Sequence, residues 1–422
     1  MASGTARVTA HRGSMQPDAE TSRPALGEVL WAARELLTYD DPLDAELWAS
    51  ALVEMWREQH LVDDEPESLY GHTLVRFAGQ HAGPEALACL AALASVAGPT
   101  VARKAGQTVD ELRRRGVWAP SWVARLRPVR VVGAWTARDP FGDQEVVLLA
   151  FAHDGQKAHT FQLLVDHNLG GMVKDGFLTD TSLEEVLAEW HPSGAWAFRA
   201  VDAAEAATKV RLGLEVRDHC LDAPDSRSLA DCRIVLDARL RLLQQGPVAR
   251  GEALDEAARS GLVEAFFSSP ESTGVPDDGR LARMFVDYRC DLCGEDPLRW
   301  SPTVVLLFLL DWLPRRASLP SEAVHRVPAV LRAWVRFAGK RRKLASHLIE
   351  EILTTVGEVE DDYLEAMGQP VGRGRATLDP ARAAVGAMLQ DGVDVADEAE
   401  VDAWLADFKR SLEAERRQLL HA

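Results

Sequence analysis

The hydrophobic period of this chain changes twice along its length, and no other feature restricts its fold so strongly. Over residues 25–126 apolar side chains recur at helical spacing: Leu26, Val29, Leu30, Ala33 and Leu37, then Leu47, Leu52, Val53 and Trp56. Gly83-Pro84 opens an Ala/Leu-rich segment that is apolar on every side, so this helix is expected to be largely buried. Gly98-Pro99 closes it, and a more polar helix runs to Arg115, where Gly116 stops it. From Val129 the period becomes two. Residues 129–137, 144–152 and 159–166 are rich in β-branched and aromatic side chains, with Pro140-Phe141-Gly142-Asp143 between the first pair and Asp154-Gly155 between the second. These spacings predict a three-strand antiparallel meander, with residues 195–201 as a fourth strand. Thr181 or Ser182, with Glu184 or Glu185 three residues later, reads as a capping box for a short helix ending at Trp190. A helix over 202–220 follows. The remainder is helical, with breaks at Pro224-Asp225, 268–279, Leu319-Pro320 and 369–377.

The expected fold class is therefore α+β and mostly α-helical, a small antiparallel β-meander flanked by N- and C-terminal helical regions. The regions read as a polar, disordered leader over 1–24 (with Met15 as an alternative start), a helical region over 25–126, an α+β domain over 127–222 and a helical domain over 223–422. Net charge is −18 and the pI about 5.2, which argues against a protein that coats nucleic acid with its whole surface. The strongest apolar run, residues 304–313, is interrupted by Asp311 and is shorter than the about 20 residues that cross a bilayer, so it reads as a buried core helix. Five cysteines, an odd number, make no disulfide framework and point to a reduced, cytoplasmic setting. Arginine outnumbers lysine 40 to 7, which reads as the coding bias of a GC-rich, bacterial genome.

Chemistry-bearing residues fall into a few groups. Cys290 and Cys293 form one CxxC, half of a zinc-ribbon pattern without its second pair, and sit after a helical segment rather than a strand. His153 and His159 flank a strand turn and are expected to face each other in solvent there. His159 and His167, at opposite ends of a strand, are too far apart to share a metal. The most suggestive segment spans 166–175. Asp166, His167 and Asn168 leave a strand, Gly170-Gly171 follows, and Lys174 and Asp175 come next, an arrangement suited to a ligand-binding loop. Neighbouring strand residues point to opposite faces, so Asp166 orients His167 only if the strand has already ended. Residues 315–343 hold nine bases and one acid. Arg332, Arg336 and Lys340 lie opposite an apolar stripe on the helix read there, whose first turn Pro328 is expected to mark. This face suits phosphate contacts, but residues 344–422 hold 17 acids against 7 bases and can neutralise it internally. Asp391, Asp394, Asp397, Glu398 and Glu400 lack EF-hand spacing; Asp397 reads as the N-cap of a helix carrying Val401, Trp404, Leu405 and Phe408.

Two stretches resemble an uncharacterised protein family of GC-rich bacteria. One is 151–175, with its Val165-Asp166-His167-Asn168-Leu169-Gly170-Gly171 core and Lys174-Asp175. The other is carried by Val327, Pro328, Leu331, Arg332, Ala333, Trp334, Val335 and Arg336. The resemblance implies no activity and adds no catalytic residue.

The chain has no nucleophile motif, no Gly-rich phosphate loop after a strand and no complete metal set. The sequence thus reads first as a soluble, non-enzymatic interaction or regulatory protein that needs no cofactor and no membrane, with another protein as its partner. The alternatives are a nucleic-acid-associated factor using Arg332, Arg336 and Lys340, and an enzyme or small-ligand module centred on Asp166, His167, Asn168, Lys174 and Asp175.

Overall fold

The computed structural model describes residues 26–368, apart from 58–65, 191–195, 197, 221, 247–253, 278, 293–295 and 317–318. The leader, Cys293, and the acidic residues and helix read beyond 390 lie outside the described residues. The N-terminal helices are α1 (Leu26–Ala32), α2 (Pro42–Arg57), α3 (Pro66–His81), α4 (Pro84–Val96) and α5 (Pro99–Arg114). As its composition requires, α4 is the buried one, and the others wrap it.

The sheet has the order β4-β3-β2-β1-β5, every pairing antiparallel. Its strands are β1 (Val129–Arg138), β2 (Gln144–His153), β3 (Ala158–Asp166), β4 (Met172–Thr179) and β5 (Arg199–Ala200). The three-strand meander is as the period predicts. The strand expected over 195–201 is present in part: among the described residues of that range Arg199 and Ala200 pair, on the outer edge against β1. The strand beside β3 is β4, which takes in Lys174 and Asp175, read from sequence as part of a loop. Gly170 and Gly171, both at positive φ (69° and 79°), make the turn that folds β4 back.

Helices α6 (Leu183–Trp190), α7 (Ala203–His219) and α8 (Arg227–Leu240) cover the sheet. The capping box of α6 is Ser182 with Glu185, each backbone N–H donating to the other's side chain. One sheet face packs α6 through Val146, Leu148 and Ala150 against Leu183 and Val186. The other faces α7, α8 and the N-terminal helices in one continuous core that includes Phe151, Phe161, Val210, Val235, Leu90 and Trp122. Successive residues of a strand alternate between these faces, and β2 is buried on both.

A second core holds the C-terminal helices together: α9 (Glu256–Phe267), α10 (Arg280–Asp287), α11 (Pro302–Leu306), α12 (Leu313–Arg316), α13 (Ser321–Arg341), α14 (Ser346–Glu358) and α15 (Glu360–Gly368). Wide π-turns extend α10 over Tyr288–Leu292 and join α11 to α12 over Leu307–Trp312. The two turns meet ring to ring, with Tyr288 4.8 Å from Phe308 and 5.1 Å from Trp312 between centroids. Helix α13 starts at Ser321 after Pro320, so Pro328 sits inside it rather than in its first turn. A proline there leaves the carbonyl four residues earlier without its N–H. The Tyr363 hydroxyl from α15 donates to that carbonyl, Val324 O, at 3.2 Å.

Candidate functional site

The face of β2 and β3 turned towards α7 and α8 is apolar in the middle and ionic at both ends. Glu145, Val147, Leu149, Phe151 and His153 share it along β2, and His159, Phe161, Leu163 and Val165 share it along β3, with His167 just beyond the strand.

At one end the Glu145 carboxylate, 1% exposed, accepts from Thr136 Oγ1, Arg138 Nε (3.0 Å), His167 Nε2 (3.0 Å) and Lys209 Nζ (2.5 Å). Burial pushes its pKa up, but the bonds from His167, Lys209 and Thr136 and the Lys209 charge outweigh that and hold it well below the ordinary carboxylate range. A carboxylate only accepts, so His167 carries its proton on Nε2.

At the other end Glu46 of α2 and Arg239 of α8 meet His153 and His159, all four buried. Arg239 donates through both terminal nitrogens to Glu46 and through Nε to His159 Nε2 at 3.1 Å. His153 Nε2 lies 3.0 Å from the same carboxylate, and its Nδ1 lies 3.2 Å from the Leu126 carbonyl. Burial alone would raise the Glu46 pKa; the Arg239 charge and the bonds from His153 and Arg239 instead hold it at about 2. Burial, and then the Arg239 charge, push His159 down to about 3. The histidines do face each other, 5.7 Å between ring centroids, but inside the protein and not in solvent. The cause is long-range: α2 and α8 bring a carboxylate and a guanidinium over the turn, which local sequence does not disclose. His159 and His167 belong to opposite ends of the face.

The segment 166–175 is distributed over three elements. Asp166 ends β3 and caps the 3₁₀ turn His167–Leu169, accepting the Asn168 N–H at 2.9 Å and Lys174 Nζ at 3.2 Å. Asn168 Oδ1 accepts from Arg299 at 3.0 Å. Asp175, inside β4, accepts from Ser226 Oγ (2.5 Å), Ser228 Oγ (2.9 Å) and the Gly176 N–H (2.8 Å), which binds β4 to the N-terminus of α8. Burial works against the Asp175 charge, but these bonds and Arg217 prevail and lower its pKa. The five residues therefore share one end of the sheet without converging on a common point. A cavity of about 380 Å³ lies elsewhere, lined among others by Ala258, Gly261, Leu262, Leu298 and Arg341, and none of the five lines it.

Arg299, which sequence reading missed, ties this end of the sheet to the C-terminal helices. It is buried and donates to Gly142 O (3.2 Å), Asp143 Oδ1 (2.5 Å) and Asn168 Oδ1. Arg342 donates to Phe141 O at 3.2 Å, so two arginines from the second core hold consecutive carbonyls of the β1–β2 turn.

The other sequence candidates are placed as follows. Cys290 lies in the first π-turn, where burial pushes its thiol pKa up, away from redox reactivity. Among the described residues no group of three His, Cys, Asp or Glu side chains is arranged to hold a metal. On α13, Arg332 pairs with Glu360 and Lys340 with Glu271, each at 2.5 Å, and Arg336 is exposed on the same side.

The 304–313 run departs most from expectation. Val304, Val305, Phe308, Leu309 and Leu313 are buried, but Leu306, Leu307 and Leu310 are 39%, 38% and 36% exposed, in line with exposed Thr303. The run is thus a core helix on one side only. Its solvent side carries three leucines, Leu306 at the end of α11 and Leu307 and Leu310 in the π-turn, beside exposed Thr303. Local pattern cannot reveal this, because a helix apolar all round does not say which face lacks a partner.

No family model, no curated protein and no solved structure matches this chain. Among the described residues no helix is long and apolar enough to cross a membrane.

Proposed function

We propose that this chain is a non-enzymatic interaction protein that docks an amphipathic helix of another protein on the exposed leucine face of the 302–316 helix. The observation that carries this is the exposure of Leu306, Leu307 and Leu310, side by side, on a helix whose opposite side fills a core. Single surface leucines are ordinary; three exposed together are the kind of surface that partners cover. Leu306 ends α11 and Leu307 and Leu310 lie in the π-turn that follows, so the three form one apolar patch of the kind an amphipathic helix covers. The polar segment 166–175 favours the same reading, since Asp166, His167, Asn168 and Asp175 are all bonded to protein groups. The odd cysteine count supports a reducing, cytoplasmic setting.

A displayed library of helical peptides tests the proposal. Selection on the full chain should enrich peptides with apolar residues at i, i+3, i+4 and i+7. Leu307→Asp with Leu310→Asp should weaken their binding roughly tenfold or more, because a carboxylate must then be desolvated against an apolar anchor. A library that yields no binder, or binders indifferent to the double substitution, overturns it.

A further inference from the structure

We infer that the segment leading from the end of α5 into β1 binds single-stranded nucleic acid, on a surface separate from the leucine face. Residues 112–131 hold six arginines (Arg113, Arg114, Arg115, Arg125, Arg127 and Arg130) and no Asp or Glu, in a chain of net charge −18. Five of the six are exposed and Arg125 is half-buried. Among the described residues none of them makes an ion pair. On α13, by contrast, Arg332 and Lys340 are matched by Glu360 and Glu271.

Three of the guanidiniums are fastened to main chain instead. Arg115 donates to Gly79 O at 3.4 Å, Arg127 to Ala94 O at 3.1 Å, and Arg125 to Asp40 O. A carbonyl steadies a guanidinium without neutralising it, and a group with five donors keeps others for an outside acceptor. Cations at a helix C-terminus also offset its dipole, which accounts for Arg113 and Arg114 in the last turn of α5. It does not account for Arg125, Arg127 and Arg130, which come after the helix has stopped at Gly116, φ 81°. Nor does it account for Trp118. That indole is 59% exposed and lies three residues past Arg115, within about 11 Å of chain.

These side chains select the partner. Arginine's planar fork takes phosphate oxygens in pairs, and an exposed indole offers its face to a base. A single strand presents phosphates and open base faces together, whereas a duplex keeps its bases stacked inside. An acidic peptide would meet the charge and leave the indole bare. A membrane surface takes in several apolar side chains at once, and the exposed neighbours of Trp118 include Arg115, Gly116 and Ser121. The acidic remainder of the molecule repels phosphate and confines the strand to this surface.

Fluorescence anisotropy of labelled oligothymidine and oligouridine strands of about twelve nucleotides, titrated with the full chain, tests the inference. At least one should bind at low salt, and the tighter of the two tells DNA from RNA. Four phosphate contacts should weaken binding roughly fiftyfold between about 50 and 200 mM salt. Trp118→Ala should weaken it on the order of tenfold and leave the salt dependence as it is. Arg113→Gln with Arg114→Gln should lower the slope of log affinity against log salt by about 1.4. Both variants change exposed side chains, so their circular dichroism should match wild type, and Leu307→Asp with Leu310→Asp should bind the strands as wild type does. No binding of either strand at low salt, or a Trp118→Ala chain that binds as tightly as wild type, overturns the inference. So does equal competition by polyglutamate or by a duplex of the same length, or tighter binding to vesicles of anionic phospholipid.

Discussion

At the residue scale the molecule spends its unusual side chains on internal bonds. Arg239 shows why such groups cannot be exchanged singly. It neutralises Glu46 and bonds His159 where all these side chains are buried, so Arg239→Met should leave a buried carboxylate facing His153 alone and cost about 3–5 kcal/mol. Chemical denaturation followed by far-ultraviolet circular dichroism checks it; a loss below about 1 kcal/mol contradicts the role given to the cluster. The same group sets an acid limit. His159 titrates at about 3 instead of 6.5, so between those values the unfolded chain binds a proton that the folded one refuses, and stability falls as pH falls. Glu46, held at about 2 instead of 4.5, adds stability that is present above 4.5 and lost on acidification towards 2. His159→Gln should lessen the decline between pH 6.5 and 4.5, seen as urea midpoints that move less with pH there than in wild type. Gly213 is constrained differently. A Cβ on it would stand 2.6 Å from Gly171 O, where α7 crosses the turn before β4. Gly213→Ala should therefore destabilise by about 1–3 kcal/mol, because the obstacle is backbone and not a flexible side chain.

At the element scale, strands that alternate cleanly were legible and those that do not were hidden. β1, β2 and β3 announce themselves by period and by turn residues. β4 does not, because its apolar alternation is broken at Gly176, where a side chain would meet Leu163 Cδ2 at 2.6 Å and Leu229 Cδ1 at 3.2 Å. The glycine exists for the approach of α8, and nothing local records that. The start of α13 was misplaced for a similar reason. Proline is tolerated inside that helix because Tyr363, 35 residues further on, supplies the missing donor. Tyr363→Phe should cost about 1 kcal/mol, the value of one partly buried hydrogen bond, while Val324→Leu should leave this bond untouched. Thermal unfolding of the two variants separates them; equal losses would show that packing, not the hydroxyl, holds the proline-containing turn.

At the scale of the whole molecule, two cores are joined at one end of the sheet by Arg299 and Arg342. Arg299→Gln removes the cation beside the buried Asp143 and should destabilise by roughly 3 kcal/mol. The two cores should then unfold further apart in urea than in wild type, and an unchanged separation would deny the arginine its coupling role. Fold class was legible because it follows from the order of hydrophobic periods. The distribution of the candidate residues was not, because it depends on which helices reach the ends of one sheet face. Exposure of the leucine patch was least legible of all, since it is set by what α13, α14 and α15 leave uncovered. The most direct measurement is a titration of one selected helical peptide against four full chains: wild type, Leu307→Asp, His167→Ala and Asp175→Ala. The expected result is roughly tenfold or greater weakening for Leu307→Asp alone, with His167→Ala and Asp175→Ala close to wild type. Loss of binding on changing His167 or Asp175, with Leu307→Asp unaffected, would move the functional surface to the end of the sheet and contradict the docking face.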